Sequence, residues 1–302
     1  RWADPAVAPS IRRAADALGL AREDRWAPGA PVAPPRLVRT DALPLDTPDE
    51  LDEDGITRLL SARDEERARI LAAADRLRRE VCGDEVTYVV TRNIQYTNVC
   101  YFRCGFCAFS KGKLAENLRG PAYLLPNDEI VRRAAEAWER GATEVCLQGG
   151  IHPSFTGDYY AGVVESIREA VPGLHVHAFS ALEIWQGAAT LGLELEPYLA
   201  RLHALGLGSL PGTAAEILDD EVRAIICPDK VTTEQWLDVH DAAHRVGLRS
   251  NVTMMFGHVD GPRSWARHLL RAREQQRATG GFTEFVPLPF VPMEAPIYLA
   301  GR

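Results

Sequence analysis

Strand-like runs alternate with amphipathic helical patterns along most of this 302-residue chain. This alternation constrains the fold strongly, because strands separated by helices pair in parallel through right-handed crossovers. No G-x-G-x-x-G follows the first strand to favour a Rossmann fold, and six units suit a TIM-like barrel better than a short open sheet. The predicted strands are Glu85–Ile94, Thr143–Gln148, Leu174–Ser180, Leu205–Leu210, Leu248–Phe256 and Phe282–Leu288. The sequence therefore predicts an α/β fold, a partial (β/α)6 TIM-like barrel.

The region before the first strand has a different character. Residues 26–55 are rich in Pro, Ala and acidic side chains, which is typical of a linker, and a short helix is predicted from Ser10 to Gly19. A single longer helix is predicted from Ile56 to Val81. We therefore expect an N-terminal helical and linker extension over residues 1–55, followed by a barrel domain over residues 56–302.

Charge and hydropathy exclude several classes of partner. The formal net charge is −8, whereas general nucleic-acid binding needs an excess of Lys and Arg to neutralise phosphates. No run approaches the ~20 apolar residues of a membrane span, and no signal peptide opens the chain. We expect a cytoplasmic protein that binds neither nucleic acid nor membrane.

The cysteines are unevenly distributed. Cys100, Cys104 and Cys107 fall within the run YTNVCYFRCGFCAF, whereas the other three stand alone and are interpreted as small buried side chains. Three thiolates in one loop can hold a [4Fe–4S] cluster while leaving one iron without a protein ligand. A structural zinc site would need a fourth ligand, and a distant residue such as His152 would have to supply it. The spacing predicts an iron–sulfur cluster with an open coordination site.

This motif resembles that of the radical S-adenosylmethionine (SAM) superfamily, in which SAM chelates the open iron. The resemblance implies two cofactors, the [4Fe–4S] cluster and SAM. It places the backbone near Phe106 against adenine, and the pair Gly149-Gly150 after the second strand near the methionyl amino group. Glu183, after the third strand, is a candidate partner for polar groups of SAM, although a carboxylate at a helix start has a purely structural interpretation too.

Longer segments resemble the tyrosine-utilising half of FO synthase, which makes a deazaflavin and is fused to a cyclising half in actinobacteria. They include NIQYTNVCYFRCGFCAFSKGK, CLQGGIHPSFTGDYY, HVHAFSALEI and GLRSNVTMMFGHVDGPR, and together the matching segments cover about residues 92–302. The resemblance implies that residues 1–55 are the tail of a preceding domain plus a linker, and that the barrel domain is incomplete at its C-terminal end. It also implies a cyclising half as partner, fused or nearby, and an electron donor of the ferredoxin or flavodoxin type.

The reaction implied by this resemblance joins two substrates. A 5′-deoxyadenosyl radical abstracts hydrogen from L-tyrosine, 2-iminoacetate is lost, and the 4-hydroxybenzyl fragment adds to 5-amino-6-(D-ribitylamino)uracil. His258 and Glu216 are the candidate catalytic residues, and Gly257 would let the loop present His258 inward. Other polar residues near strand ends that could contact substrate are His152, His177 and Asn251.

Three alternatives remain open at this point. Aminofutalosine synthase and dehypoxanthine futalosine cyclase of menaquinone biosynthesis have similar cluster loops, and substrate choice would separate them from FO synthase. A binding module that carries zinc or a cluster would hold metal without cleaving SAM. A piece of the right family that is too short to turn over is the third possibility.

Overall fold

The computed structural model describes residues 45, 47–110, 121–293 and 295–300. Within these ranges six strands form one sheet in the order β1-β2-β3-β4-β5-β6, with every neighbouring pair parallel. The predicted partial barrel is therefore confirmed, whereas the short helix predicted at Ser10–Gly19 lies outside the described residues. The strands are β1 Thr91–Gln95, β2 Glu144–Gln148, β3 His175–Ala178, β4 Leu207–Leu210, β5 Arg249–Phe256 and β6 Phe282–Pro289.

Helices connect the strands and cover the outer face of the sheet. The structure corrects one sequence prediction, because the helix expected over Ile56–Val81 is two helices separated at Ser61–Arg63. The second begins with acidic residues, which favour a helix N-terminus. The helices are α1 Glu53–Leu60, α2 Asp64–Cys82, α3 Asn127–Glu139, α4 Gly157–Ala170, α5 Ala181–Leu191, α6 Leu195–Leu205, α7 Asp220–Ile226, α8 Thr233–Arg245, α9 Pro262–Thr279 and α10 Pro296–Leu299.

The first strand is shorter than predicted. Residues Glu85 to Val90 are exposed and belong to no strand, although their sequence has high β propensity. The parallel ladder with β2 starts only at Thr91, opposite Glu144. Propensity alone therefore placed the strand start too early, since a strand needs a neighbour to supply its hydrogen bonds.

The two faces of the sheet differ in chemistry. Side chains that point outward, such as Ile94, Val145, Leu147 and Val176, are fully buried under the helices. The alternating side chains point into the half-barrel, and we call this surface the lumen face. Its residues are largely polar: Asn93, Gln95, Glu144, Cys146, Gln148, His175, His177, Ser209, Asn251, Thr253 and Glu284.

Helix α8 illustrates how the outer layer is fixed. Its N-terminus is closed by a capping box in which Thr232 accepts from the Gln235 N–H and Gln235 accepts from the Thr232 N–H. Trp236 is fully buried and donates its indole N–H to the Thr213 carbonyl (3.3 Å) in the loop after β4. The helix thereby positions a strand-end loop. None of the helices in the described ranges is long and apolar enough to cross a membrane.

Candidate active site

A cavity of about 220 Å³ opens at the carboxyl ends of the strands. This is the end at which parallel α/β barrels carry their functional loops. The cavity is lined by the cysteine loop after β1 and by the loops that follow β2, β3 and β4. The structure brings eight of the nine predicted site residues to its wall: Cys100, Cys104, Phe106, Cys107, Gly149, Gly150, Glu183 and Glu216.

Backbone hydrogen bonds hold the cysteine loop in place from two directions. The Gly105 N–H donates to the Ile226 carbonyl (2.6 Å) at the end of α7, and the Gly105 carbonyl accepts from the Ile297 N–H (2.7 Å) in α10. The Arg103 N–H donates to the Asp229 carboxylate (3.0 Å). The loop is thus anchored by segments more than a hundred residues away, which no linear motif could reveal.

Gly149 and Gly150 allow the loop after β2 to pack tightly beside the cysteine loop. A Cβ on Gly149 would lie 2.4 Å from the ring of Tyr96, and one on Gly150 would lie 2.2 Å from the Val99 carbonyl oxygen. The close approach expected here is therefore present, and its partner in this structure is the protein itself. The Gly150 N–H also donates to the Thr97 carbonyl (2.9 Å), which fixes the two loops together.

Glu183 ties three strand ends together. It forms a capping box with Ser180 at the start of α5, accepting from the Ser180 N–H (2.7 Å) and hydroxyl, and it also accepts from the Gly149 N–H (3.2 Å) and the Tyr96 hydroxyl. Complete burial raises the pKa of Glu183 to about 7, and these hydrogen bonds partly oppose the rise. The contacts describe a carboxylate that shapes the cavity wall; a direct contact with SAM stays a prediction.

Glu216 and Lys230 form an ion pair at the cavity wall. Their side chains are 14% and 10% exposed, and the Lys230 Nζ lies 2.5 Å from the Glu216 Oε1 and 5.4 Å from the centre of the Phe106 ring. Glu216 adopts φ +48°, a strained backbone for a residue other than glycine, and such strain is often found at functional sites. The sequence pattern singled out Glu216 but missed Lys230, because nothing near Lys230 in the chain marks it.

The environment of the thiols suits a positively charged ligand. Burial raises the pKa of the Cys104 thiol, and the nearby Lys230 ammonium opposes the rise. Burial also raises the pKa of Cys107, and its sulfur accepts a hydrogen bond from the Ser110 N–H (3.3 Å), which opposes that rise. Keeping the cysteines as thiolates therefore requires further positive charge in the cavity, which the iron of a bound cluster would provide.

The spacing of the thiols argues against a single zinc ion. Zinc–sulfur bonds of ~2.3 Å in a tetrahedron bring sulfur atoms within about 4 Å of one another. Among the described residues, the group whose ligand atoms all lie within 4.8 Å of one another is Glu144, His175 and His177, not the cysteines. The three cysteines line one cavity, yet at least one pair of their sulfur atoms lies more than 4.8 Å apart, which fits thiolates that bind different irons of one cluster.

The ninth predicted residue, His258, lies outside the cavity wall. It is fully buried; its Nδ1 accepts the Val259 N–H (2.9 Å), so its Nε2 carries the proton and donates to the Met255 carbonyl (3.0 Å). Both ring nitrogens thus contact atoms of the loop after β5, and a catalytic role for His258 stays a prediction. His152 bonds to Ser154 and is likewise absent from the wall, whereas His177 and Asn251 lie on the lumen face.

Comparison with known proteins identifies the class. The family model described as the radical SAM superfamily matches residues 94–271. This chain belongs to the radical SAM superfamily. Solved structures share its fold: methylornithine synthase has a TM-score of 0.63 at 17% identity over 82% of this chain and 67% of that one. The FeFe-hydrogenase maturase HydG from Carboxydothermus hydrogenoformans has a TM-score of 0.60 at 18% identity over 81% and 55%.

Curated relatives are much more similar in sequence. FO synthase of Streptomyces coelicolor is 48% identical over 277 residues, which cover 90% of this chain and 32% of that protein. FO synthase of Mycobacterium tuberculosis is 52% identical over 77% of this chain and 27% of its own length. The 5-amino-6-(D-ribitylamino)uracil--L-tyrosine 4-hydroxyphenyl transferase of Methanothermobacter thermautotrophicus is 46% identical over 77% and 62%. The chain therefore spans about a third or less of these FO synthases.

Proposed function

We propose that this chain catalyses transfer of the 4-hydroxybenzyl group of L-tyrosine to 5-amino-6-(D-ribitylamino)uracil, a step in the synthesis of the deazaflavin FO. The observation that carries the proposal is the 46% identity to a transferase named for these two substrates, in a chain whose cysteines line one cavity. The similarity to FO synthases that are far longer than this chain supports a cyclising half as partner, fused or separate. The electron donor would be of the ferredoxin or flavodoxin type.

Each wall residue has a distinct part in this proposal. Cys100, Cys104 and Cys107 would hold the [4Fe–4S] cluster, with SAM at its open iron. When bound, the two cofactors supply a 5′-deoxyadenosyl radical that abstracts hydrogen from the substrate. The Lys230 ammonium stabilises negative charge on the thiolates, since it lies beside Cys104.

Other wall residues exclude water and set the shape of the site. Glu183 holds the ends of β1, β2 and β3 at a fixed separation through its hydrogen bonds. Apolar groups of Phe106, Met255 and Leu288 contribute to the wall beside the cysteines. A cavity closed in this way protects a reactive intermediate from side reactions.

The proposal is tested by anaerobic reconstitution with iron and sulfide, reduction with dithionite, and mass spectrometry of products from SAM, tyrosine and the diaminouracil. We expect 5′-deoxyadenosine and a hydroxybenzyl–uracil adduct from the wild-type protein. Cys104→Ala should lose both products together with its bound iron. Cys82→Ala, at an exposed position at the end of α2, is the matched control and should behave as wild type.

Two results would contradict the proposal in different ways. SAM cleavage without the adduct, combined with turnover of a futalosine derivative, would assign the chain to the menaquinone-pathway enzymes. A folded wild-type protein that takes up no iron would exclude radical SAM chemistry for this chain.

A further inference from the structure

A network of hydrogen bonds crosses the lumen face below the cavity. His177 on β3 contacts Ser209 on β4 through its Nδ1 (2.7 Å) and Asn251 on β5 through its Nε2 (3.3 Å). Ser209 also contacts the Nε2 of His175 (2.7 Å), and Asn251 contacts the Oε1 of Glu284 on β6 (3.1 Å). Side chains from four neighbouring strands are thus joined on a surface that faces open space.

The direction of each bond in this network follows from one backbone amide. The Gly212 N–H can only donate, and it donates to the Oδ1 of Asn251 (2.5 Å). The Asn251 amide nitrogen therefore donates both to Glu284 and to the Nε2 of His177. Burial lowers the pKa of His177, which favours the neutral ring, so its proton sits on Nδ1 and is donated to Ser209. The Ser209 hydroxyl then donates to His175.

Two carboxylates lie at or beside this network and can accept further hydrogen bonds: Glu284 at its β6 end and Glu144 close to its two histidines. Glu284 has used one oxygen for Asn251. Glu144 lies with an oxygen within 4.8 Å of ligand nitrogens of His175 and His177. Carboxylates that face a common space repel an anionic ligand and attract one rich in N–H and O–H donors. The lumen face therefore suits a neutral ligand that carries many donors.

The network is continuous with the cavity at its upper end. Thr253 donates its hydroxyl to the Gly212 carbonyl (2.7 Å), and Thr253, Thr213 and Gln148 all line the cavity. Gly212 belongs to the same loop and orients Asn251. A ligand that spans both regions would place one end beside the cysteines and the other between Glu144 and Glu284.

We propose that the lumen face is the binding site for the aminopyrimidine substrate, with its polyhydroxyl chain held by Ser209, His177, Asn251 and the two glutamates and its ring directed to the cavity. The inference rests on the proposed function, which supplies a substrate of this chemistry. Of the two substrates, the diaminouracil matches this surface, because it is rich in amino, ring N–H and hydroxyl donors. Tyrosine fits this surface less well, because it carries donors only on its ammonium and phenol groups, and the two glutamates give its α-carboxylate no donor to bind.

The test separates binding from turnover. Equilibrium dialysis under anaerobic conditions measures the Kd of 5-amino-6-(D-ribitylamino)uracil for the reconstituted, unreduced protein. We expect Ser209→Ala and His177→Gln to weaken this binding by about 10- to 100-fold, because each leaves polar groups unpaired. The KM for tyrosine and the iron content should stay unchanged. His203→Gln, at an exposed position on α6 where the side chain contacts the Val246 carbonyl, is the matched control and should bind as wild type.

Three outcomes would overturn the inference. The variants could bind the diaminouracil as tightly as wild type, or they could lose tyrosine and the diaminouracil equally. Stoichiometric Zn²⁺ on the wild-type protein, lost in His177→Gln without any change in diaminouracil binding, would make Glu144, His175 and His177 a metal site instead.

Failure of the proposed function gives a different pattern. If the wild-type protein binds the diaminouracil, loses it in the variants and forms no adduct, the binding site stands while the reaction assignment fails. If the wild-type protein forms the adduct and the variants keep the normal Kd, the reaction stands and the lumen face is excluded as the binding site.

Discussion

The two faces of the sheet bury histidines in different surroundings. On the helix side, His268 of α9 is fully enclosed; its Nδ1 accepts the Leu218 N–H (2.9 Å), and its Nε2 has no partner among the described residues. On the lumen side, His177 uses both ring nitrogens within a chain of side chains that crosses four strands. His175, which belongs to the same hydrogen-bond network, is exposed to the open half-barrel.

This difference separates structural polar groups from groups that can bind a ligand. Burial lowers the pKa of His268 to about 3, because it removes solvent from a charge there, and the nearby Arg223 and Arg271 repel that charge. Burial likewise lowers the pKa of His240, on the same side, to about 3. The helix-side histidines are therefore neutral packing residues, whereas the lumen face keeps acceptors directed at open space. Three variants test this division.

The largest effect is expected at the boundary between the lumen and the strand-end loops. Gly150→Ala places a Cβ 2.2 Å from the Val99 carbonyl oxygen and 2.9 Å from the Cys100 Cβ, so the cysteine loop must move. We expect a protein that folds but binds little iron and has lost most of the visible absorption of the cluster. Iron and sulfide analysis after reconstitution measures this loss, and a normal iron content would contradict the tight contact.

Gly162→Ala is the matched control in the helix layer. Gly162 lies inside α4, and a Cβ there meets nothing within 4 Å. Because alanine loses less backbone entropy in a helix than glycine does, the free energy of unfolding should rise by about 0.5–1 kcal/mol. Iron content should equal that of wild type. A loss of iron here would mean that the helix layer and the cluster loop are not independent.

The next largest effect is expected at His268, in how the free energy of unfolding depends on pH under acidic conditions. The ordinary histidine pKa of 6.5 holds in the unfolded chain, whereas that of His268 is lowered to about 3 on folding. Below pH 6.5 the unfolded chain binds a proton that the folded protein refuses, so stability falls by about 1.4 kcal/mol per pH unit for this group, down to pH 3. His268→Asn keeps an acceptor for the Leu218 N–H and does not titrate. Between pH 6.5 and 4.5 the free energy of unfolding of this variant should fall with decreasing pH less steeply than that of wild type, by about 1.4 kcal/mol per pH unit.

The His268→Asn test has a second measurement at pH 8 and a control variant in the same helix layer. His268→Asn should also lower stability at pH 8 by about 1–3 kcal/mol, since part of a buried ring is lost. His203→Asn, at the surface end of α6, should give a profile parallel to that of wild type. Equal slopes in wild type and His268→Asn would show that this histidine is not held neutral by burial.

Much of the fold could be predicted because it follows from patterns within short stretches of the sequence. The alternation of strands and helices correctly predicted six parallel strands. The errors have local causes too. The β propensity of residues 85–90 suggested an earlier start for β1, whereas its ladder with β2 begins at Thr91, and the helical periodicity of 56–81 concealed a break at Ser61–Arg63.

The candidate site likewise contains residues that the sequence identified and residues that it missed. Cys100, Cys104 and Cys107 were identified because their spacing is linear, and all three line the cavity. Lys230 and Ser209 were missed because their roles depend on which distant residues the fold places beside them. His258 was chosen because it follows a glycine after a strand, but the chain turns its ring back onto its own loop. Spacing along the sequence thus identifies residues that share one loop, but it does not identify hydrogen-bond networks between strands.

A smaller effect is expected at Glu183, which belongs to both regions because it borders the cavity and begins a helix. Its pKa is raised from 4.5 to about 7, so between these values the unfolded chain releases a proton that the folded protein keeps. The stability of wild type relative to Glu183→Gln should therefore fall by about 1.4 kcal/mol per pH unit from pH 4.5 to 7 and stay constant above. Glutamine cannot accept from every donor around it, which adds an offset that does not depend on pH.

Denaturant unfolding of both proteins at several pH values measures this difference. A stability difference that stays constant over the same interval would mean that the surrounding donors offset burial, because a carboxyl whose folded pKa does not exceed 4.5 is ionised in both states from there to pH 7. Glu183 would then carry a fixed negative charge at the cavity wall, beside Gly149 and Tyr96. In that case the cavity wall would offer SAM an anionic partner. Glu183 would then belong to the groups that can bind a ligand and not to the purely structural ones.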